Sequence, residues 1–397
     1  MRNWWNWLLI FGLVCLLFLA IPLSYPKSKS KEQLQLMFND YIKKFNKTYK
    51  DNATEYATRF EHFVASVQEI EQMNAASRGP ESHKARYGLT HLSDMSKEEY
   101  KEIHLSDEKP HRRRRYNLTK TWSYGQVTDI VNVDGTPSDL DLDPDYFDDH
   151  HVTDLGNRGS HHNVYNIYNI VIRRKKRAAL PLKMDWRDKG LVGPVRDQGL
   201  CGACWAFSTI GVMETMAALS TGKLAALSVQ EAIDCAGLGN AGCAGGDICL
   251  LLDWLAMTKT PVQPDKDYPL KLTNAACALK KNVTGVRVKS YTCETFVGSE
   301  EKLLESIATH GPVAVAVNAL SWQNYLGGVI QFHCSGSPVD LNHAVELVGY
   351  DLTADVPYYI AKNSWGSAFG NAGYLQLAIG SNVCGLANEV ALVDVSV

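Results

Sequence analysis

Gln198-Gly199-Leu200-Cys201-Gly202-Ala203-Cys204-Trp205-Ala206-Phe207-Ser208 is the stretch on which the fold of this 397-residue chain turns. It opens on a turn-forming glycine and places a cysteine where an apolar run at helical spacing begins: Trp205, Ala206, Ile210, Met213 and Met216. That spacing predicts an amphipathic helix whose N-terminus lies at or next to Cys204. Unpaired backbone N–H groups and the macrodipole favour an anion at such a place. A thiol held there is expected to titrate low and to act as a nucleophile.

A thiol nucleophile needs a base within hydrogen-bond reach, and the base needs a group that holds its tautomer. Only His310, His333 and His343 lie beyond residue 178. His310 precedes Gly-Pro at a turn and His333 abuts Cys334, so both read as structural or exposed. His343 opens a strand-like run, from which its ring can project into a cleft. Asn363, in Lys362-Asn363-Ser364-Trp365-Gly366, ends another such run 20 residues later, and its carbonyl can accept the imidazole N–H that faces away from sulfur. Trp365 can shield that bond from water. Gln198, six residues before the cysteine, suits an amide donor that joins the Cys204 N–H in an oxyanion hole.

Residues 204–260 carry helical periodicity, whereas 311–397 alternate or are β-branched in Val313–Val317, Ala344–Tyr350, Tyr358–Lys362, Tyr374–Ile379 and Val390–Val393. A helical lobe beside a β-rich lobe implies a cleft between them. The composition, 45% apolar and 21% charged, supports one or two real cores. A formal charge of −3 points to neither a nucleic acid nor an acidic partner. Nine of the ten cysteines lie at or beyond Cys201, which suits an oxidising compartment and a disulfide framework confined to the C-terminal half. Asn46, Asn52, Asn117 and Asn282 stand in glycosylation acceptor tripeptides, in keeping with a secretory route.

Residues 1–23 hold Arg2 and then thirteen residues, Leu8 to Ala20, without a polar side chain. That length favours a signal peptide over a signal anchor, and the chain touches a membrane only if the segment is left uncleaved. Residues 31–105 are charged and helical in pattern, with stripes at Leu34, Phe38, Tyr41 and Phe45 and at Tyr56, Phe60, Phe63, Val67 and Ile70. Residues 106–177 read as a disordered linker: nine aspartates fall between Asp129 and Asp154, and no Lys or Arg lies between Lys120 and Arg158. The linker ends in Arg174-Lys175-Lys176-Arg177, which resembles a dibasic processing site, with cleavage expected after Arg177.

Taken together these residues resemble the papain-like cysteine proteases. Glu55, Arg59, Phe63, Ile70 and Asn74, with Ser66 where Asn is usual, resemble the family's interspersed prosegment motif; Gly88-x-Thr90-x-Leu92-x-Asp94 resembles its second motif. The intervals of 139 and 20 residues between Cys204, His343 and Asn363 fit the family's nucleophile, base and orienting Asn, with Gln198 as oxyanion donor. The resemblance implies an α+β, two-lobe fold with a helical lobe and a β-barrel-like lobe, residues 178–397, preceded by a helical inhibitory prosegment, residues 31–105. It implies a monomeric endopeptidase of the secretory pathway, lysosomal or extracellular, that acts on peptides and proteins without metal or cofactor. Its own prosegment would block the cleft, and cystatin-like inhibitors would bind it.

The same resemblance pairs Cys201 with Cys243, Cys235 with Cys277 and Cys334 with Cys384, and leaves Cys249 and Cys293 as free thiols or a fourth bridge. It puts Asp247, Ile248, Ala316, Leu341, Ala344 and Glu389 around the pocket for the substrate residue second from the cleaved bond, where another family member also carries Glu at the floor. Gly245 and Gly246 would let a substrate backbone approach closely. Ala244 and Phe369 depart from the usual Asn and Trp, and neither change removes a catalytic group. Two other readings compete. Cys201-x-x-Cys204 has the spacing of a thiol–disulfide oxidoreductase, but no β-α-β context precedes it. A catalytically silent binder on the same fold is opposed by the presence of all four chemical groups.

Overall fold

The computed structural model describes residues 29–77, 84–105, 180–280 and 282–397. Helix α1 (Lys31–Lys44) starts at a capping box, in which Ser30 accepts from the Gln33 amide and the Gln33 side chain from the Ser30 amide. Helix α2 (Ala53–Ala76) starts where the Asn52 side chain accepts from the Glu55 amide. Their apolar stripes meet around the fully buried Phe38, whose ring lies 5.1 Å from Tyr56, 5.3 Å from Phe60 and 5.1 Å from Phe63. Strand β1 (Arg86–Tyr87), a turn and helix α3 (Lys97–His104) follow. Asp94 in the turn is 2% exposed, and accepts from Tyr41 at 2.9 Å, Tyr49 at 2.6 Å and Lys47 at 2.8 Å. A buried carboxylate is tolerable because each of these donors reaches it.

The C-terminal region begins with β2 (Lys183–Asp185), then three helices: α4 (Cys204–Thr221), α5 (Val229–Cys235) and α6 (Ile248–Thr258). Helix α4 starts at the residue where the sequence placed it, but it is not amphipathic. Every residue from Cys204 to Ala218 except Met216 is buried, because α5 and α6 pack on it from one side and strands from the other. Those strands are β3 (Arg287–Glu294), β4 (Val313–Val317), β5 (Tyr325–Gly327), β6 (Val329–Ile330), β7 (His343–Asp351), β8 (Tyr358–Lys362), β9 (Tyr374–Ala378) and β10 (Val390–Ser396), with α7 (Glu300–Thr309) before β4. The large sheet runs in the order β3-β10-β4-β7-β8-β9-β6, with β2 on β7, and β6–β9 as its parallel pair. The path is open from β3 to β6, so among the described residues the β-rich lobe forms no closed barrel.

Besides the small core around Phe38, two larger hydrophobic cores result. One surrounds α4 and includes Cys204, Ile248, Ala344 and Ala391. The other lies under the sheet around Trp322, Val345, Trp365 and Phe369, and takes in Tyr87, Leu92, Tyr100 and Leu105 from the N-terminal region. Strand β7 contributes to both, so its first residues sit at the seam between lobes.

Candidate active site

Cys204 and His343 are the first residues of α4 and β7, two elements that pack against each other at that seam. Ala203 caps α4 without a side-chain hydrogen bond, which leaves the first-turn amides to the sulfur. Gly202 makes room upstream: its amide donates to Cys243 O at 2.9 Å, and a Cβ there would meet that oxygen at 2.7 Å. Cys204 is the free cysteine among the described residues and is 2% exposed. Burial pushes its thiol up to about 11, against the pull of the Ala344, Trp205 and Cys204 amides. Burial thus opposes the low thiol pKa expected from the helix N-terminus, since desolvation outweighs the three amides facing the sulfur.

His343 Nε2 donates to Asn363 Oδ1 at 2.8 Å, and Asn363 Oδ1 also accepts from the Ser364 amide at 2.9 Å. Nδ1 is buried and without a hydrogen-bond partner, on the ring beside the residue whose amide reaches the sulfur. Burial lowers the imidazole to about 4, with the Asn363 bond acting the other way. Trp365 lies 4.7 Å from the His343 ring and is 1% exposed, so it covers the His–Asn bond; Trp322 stands perpendicular at 6.0 Å. Gln198 is fully buried; its Nε2 donates to Cys201 O at 3.0 Å and its Oε1 accepts from Ser364 at 2.6 Å. Ser364 thus joins the Gln198 loop to Asn363, a link that a Ser beside a turn does not announce in sequence.

The disulfides Cys201–Cys243, Cys235–Cys277 and Cys334–Cys384 are closed, and so is Cys249–Cys293, which the sequence left open. Cys201 is therefore bonded to Cys243 rather than to Cys204. Gly245, Asp247, Ile248, Ala316, Leu341 and Ala344 are buried; Gly246 and Glu389 are half-buried. Gly246 packs on Trp205, which a Cβ would meet at 2.5 Å. Asn46, Asn52 and Asn282 are exposed. Residues 1–23, the 106–177 linker with Asn117, and Arg174 and Arg177 lie outside the described residues. No described helix is long and apolar enough to cross a membrane.

Sequence reasoning missed a buried charge cluster behind the site. Glu214 on α4 pairs with Arg196 and accepts from the Leu227 amide, while Glu346 on β7 pairs with Lys362 at 3.3 Å. Burial raises the Glu214 carboxyl above its usual value, against the pull of Arg196 and Lys362. These four side chains, with Asn363 and Ser364, line a cavity of about 20 Å³.

The N-terminal region lies across the β-rich lobe next to this site. β1 pairs antiparallel with β5, Thr90 donates to Gln323 O at 2.7 Å, Ser93 to Asn324 at 2.6 Å and Tyr100 to Ala319 O at 2.7 Å. The Tyr100 and His104 rings each lie 5.7 Å from Trp365.

Residues 180–393 match the profile of the papain family cysteine proteases. The chain belongs to that family. Residues 38–100 match the cathepsin propeptide inhibitor domain, so this papain-family peptidase is a cysteine-type endopeptidase in its zymogen form. Similar relatives include cathepsin O of Mus musculus, 44% identical over 218 residues, 55% of this chain and 69% of that one. Cathepsin O of Homo sapiens is 43% identical over 218 residues, 55% of this chain and 67% of that one. Among solved structures, the recombinant stem bromelain precursor superposes with a TM-score of 0.66 at 25% identity, covering 91% of this chain and 98% of that one. Digestive procathepsin L 3 of the Tenebrio molitor larval midgut gives 0.65 at 26%, with 92% and 100% covered.

Proposed function

We propose that Cys204, His343, Asn363 and Gln198 carry peptide hydrolysis through an acyl-enzyme. The observation behind this assignment is the His343–Asn363 bond, which leaves the buried Nδ1 as the imidazole nitrogen available to the free thiol. His343 Nδ1 takes the thiol proton, and Sγ bonds to the scissile carbonyl carbon. The oxygen, now an oxyanion, is held by the Cys204 N–H and by Gln198 Nε2, whose second N–H is not used by Cys201 O. The imidazolium gives its proton to the amine as the C–N bond breaks. Water then attacks the thioester with its proton passing to His343, the C–S bond breaks, and the acid product leaves.

In this reading residues 31–105 are the intramolecular inhibitor, 106–177 the linker and 178–397 the mature enzyme, freed by cleavage after Arg177. Residues 1–23 serve as signal peptide, Asn46, Asn52, Asn117 and Asn282 carry glycans, and the monomeric enzyme works in a lysosome or outside the cell, open to cystatin-like inhibitors. Acid aids release, because the docked state holds His104 buried and neutral and so loses stability as pH falls. Asp247, Ile248, Ala316, Leu341, Ala344 and Glu389 line the pocket for the second substrate residue, and Glu389 lets it accept Arg or Lys as well as apolar side chains. Labelling the processed protein with an epoxide thiol reagent tests the assignment: a single adduct at Cys204 with loss of peptidase activity is expected, and activity that survives full Cys204 labelling would refute it.

A further inference from the structure

Strand β5 belongs to the C-terminal region, yet the strand paired with it among the described residues is β1 of the propeptide. Tyr87 faces Tyr325 in that pair, and Arg86 faces Gly327. The line of contact continues at both ends: Lys84 bridges to Val329, the Gly88 amide donates to Asn324 O at 2.9 Å, and Thr90 donates to Gln323 O at 2.7 Å. The surface is shaped for a backbone. A Cβ on Gly328 would overlap the Lys84 carbonyl oxygen, so glycine is what lets a strand come this close. Between the backbone contacts lies a pocket for one ring. Tyr87 is 4% exposed, and its ring stands edge-on to Tyr325 at 6.4 Å and to His333 at 6.0 Å. The Tyr87 hydroxyl and His333 Nε2 are buried without hydrogen-bond partners among the described residues, so the pocket recognises the ring rather than its hydroxyl.

Maturation removes residues 31–105 and uncovers all of this at once. Strand β5 is then an edge, with main-chain acceptors open at Gln323 and Asn324 and the ring pocket beside them. Such an edge takes up another extended chain. The strand seated there in the zymogen states what fits: an extended backbone with one aromatic side chain. The edge also lies close to the chemistry. Trp322, perpendicular to the His343 ring at 6.0 Å, is tied to Ala319 and to Tyr325 by two successive turns, Trp322 N to Ala319 O and Tyr325 N to Trp322 O, both at 3.0 Å. We propose that in the mature enzyme the β5 edge is an exosite for protein substrates, which binds an extended segment carrying an aromatic side chain and presents the neighbouring segment to Cys204. This rests on the peptidase reading above and adds to it a second contact outside the cleft. A tethered second contact raises the local concentration of the scissile segment, so its signature is a lower KM with kcat unchanged.

The experiment gives the wild-type mature enzyme and Gly328→Ala two fluorogenic peptides that share one scissile sequence. The short peptide ends there, and the tailed one continues through a flexible Gly/Ser linker into Lys-Ala-Arg-Tyr-Gly-Leu-Thr, the sequence of residues 84–90. On the wild type the tail is expected to lower KM about five-fold and to leave kcat alone. Tyr87→Phe in the tail should keep that gain, Tyr87→Ala in the tail should abolish it, and Gly328→Ala in the enzyme should abolish it as well. Equal KM for the tailed and short peptides on the wild type would overturn the exosite. A gain that survives both Tyr87→Ala in the tail and Gly328→Ala in the enzyme would also overturn it. Dimerisation of the mature enzyme in sedimentation, lost in Gly328→Ala, would give the edge to a second copy and refute the substrate role. Failure of the wild type to cleave either peptide would overturn the peptidase reading itself. Should Gly328→Ala not be obtained folded, the free peptide of residues 84–90 added to the wild type carries the test: it should raise KM for the tailed peptide alone, and equal inhibition of both peptides would refute the exosite.

Discussion

The β-rich lobe meets two neighbours, and it meets them with different chemistry. Facing helix α4 it sets buried charge and apolar packing: Glu346 paired with Lys362 on neighbouring strands, next to Glu214 of α4 paired with Arg196, and the Ala344 strand on the nucleophile's helix. Against the propeptide it uses short strand pairing, single hydrogen bonds from Thr90, Ser93 and Tyr100, and aromatic contacts to Trp365. These ion pairs are largely buried, each on its own side of the seam, so breaking one leaves a poorly solvated charge. The second interface includes His104, whose ring nitrogens are buried and unpartnered, a state that only the neutral imidazole tolerates. The permanent contact is made costly to open, and the temporary one is made conditional on pH.

The strongest test of that contrast is Glu346→Gln. It leaves Lys362, 9% exposed, without its carboxylate, and should destabilise the mature enzyme by about 3–5 kcal/mol in thermal or denaturant unfolding. A loss below 1 kcal/mol would show that the seam does not depend on the pair. Asp94→Ala strands the Tyr41 and Tyr49 hydroxyls and leaves Lys47 with the His91 carbonyl alone inside the propeptide. It should cost about 3 kcal/mol there, seen as faster amide hydrogen exchange in α1 and α2 of the precursor, with exchange in α4 untouched.

The pH response follows from His104, which burial lowers to about 3, with His91 and His343 adding like-charge repulsion. The groups facing it are Tyr100 on its own helix and Trp365 and His343 across the interface. A depressed imidazole pKa means that the docked state resists protonation. Its contribution is fully present above the unperturbed value near 6.5 and is lost as pH falls toward about 3. Between pH 6.5 and 4.5 propeptide docking should weaken by about 50-fold, close to 2.3 kcal/mol, from this group. His104→Phe should flatten the pH dependence of release by about one proton. An unaltered slope would assign acid release to other groups. The smallest effect is expected at Gly88, whose amide donates to Asn324 O at 2.9 Å and where a Cβ would meet the Leu326 Cδ1 at 2.5 Å. Leu326 is 41% exposed and can swing away, so Gly88→Ala should weaken docking by about 1 kcal/mol or less, measured as the precursor's leak of activity at neutral pH.

Much of the fold was readable from periodicity. The runs at Val313–Val317 and Tyr358–Lys362 are β4 and β8 to the residue, and Ala344–Tyr350 lies within β7, because alternating and β-branched segments report a pleated, buried surface directly. Strand β3 escaped notice: Arg287, Lys289 and Ser290 interrupt its apolar character, as befits an edge. The all-round burial of α4 was also invisible, since a helix's surroundings come from elements far away in sequence. At the site, the nucleophile, its base and the orienting amide were legible as residue types in order. Ser364 and the Arg196–Glu214–Lys362–Glu346 cluster were not, because each looks like an ordinary surface residue until the lobes close on it.

By itself, the sequence determined which groups can do the chemistry and that a helical unit precedes them: residue identity sets donors, acceptors and nucleophiles, and spacing sets local helix and strand. The tertiary structure alone decided their ionisation and company. It buries the Cys204 thiol and lifts it to about 11 where the helix N-terminus alone would lower it, and it closes Cys249 on Cys293 beside two acids. Both outcomes depend on how much water and which distant strand surround a side chain, and those quantities exist only once the chain has packed.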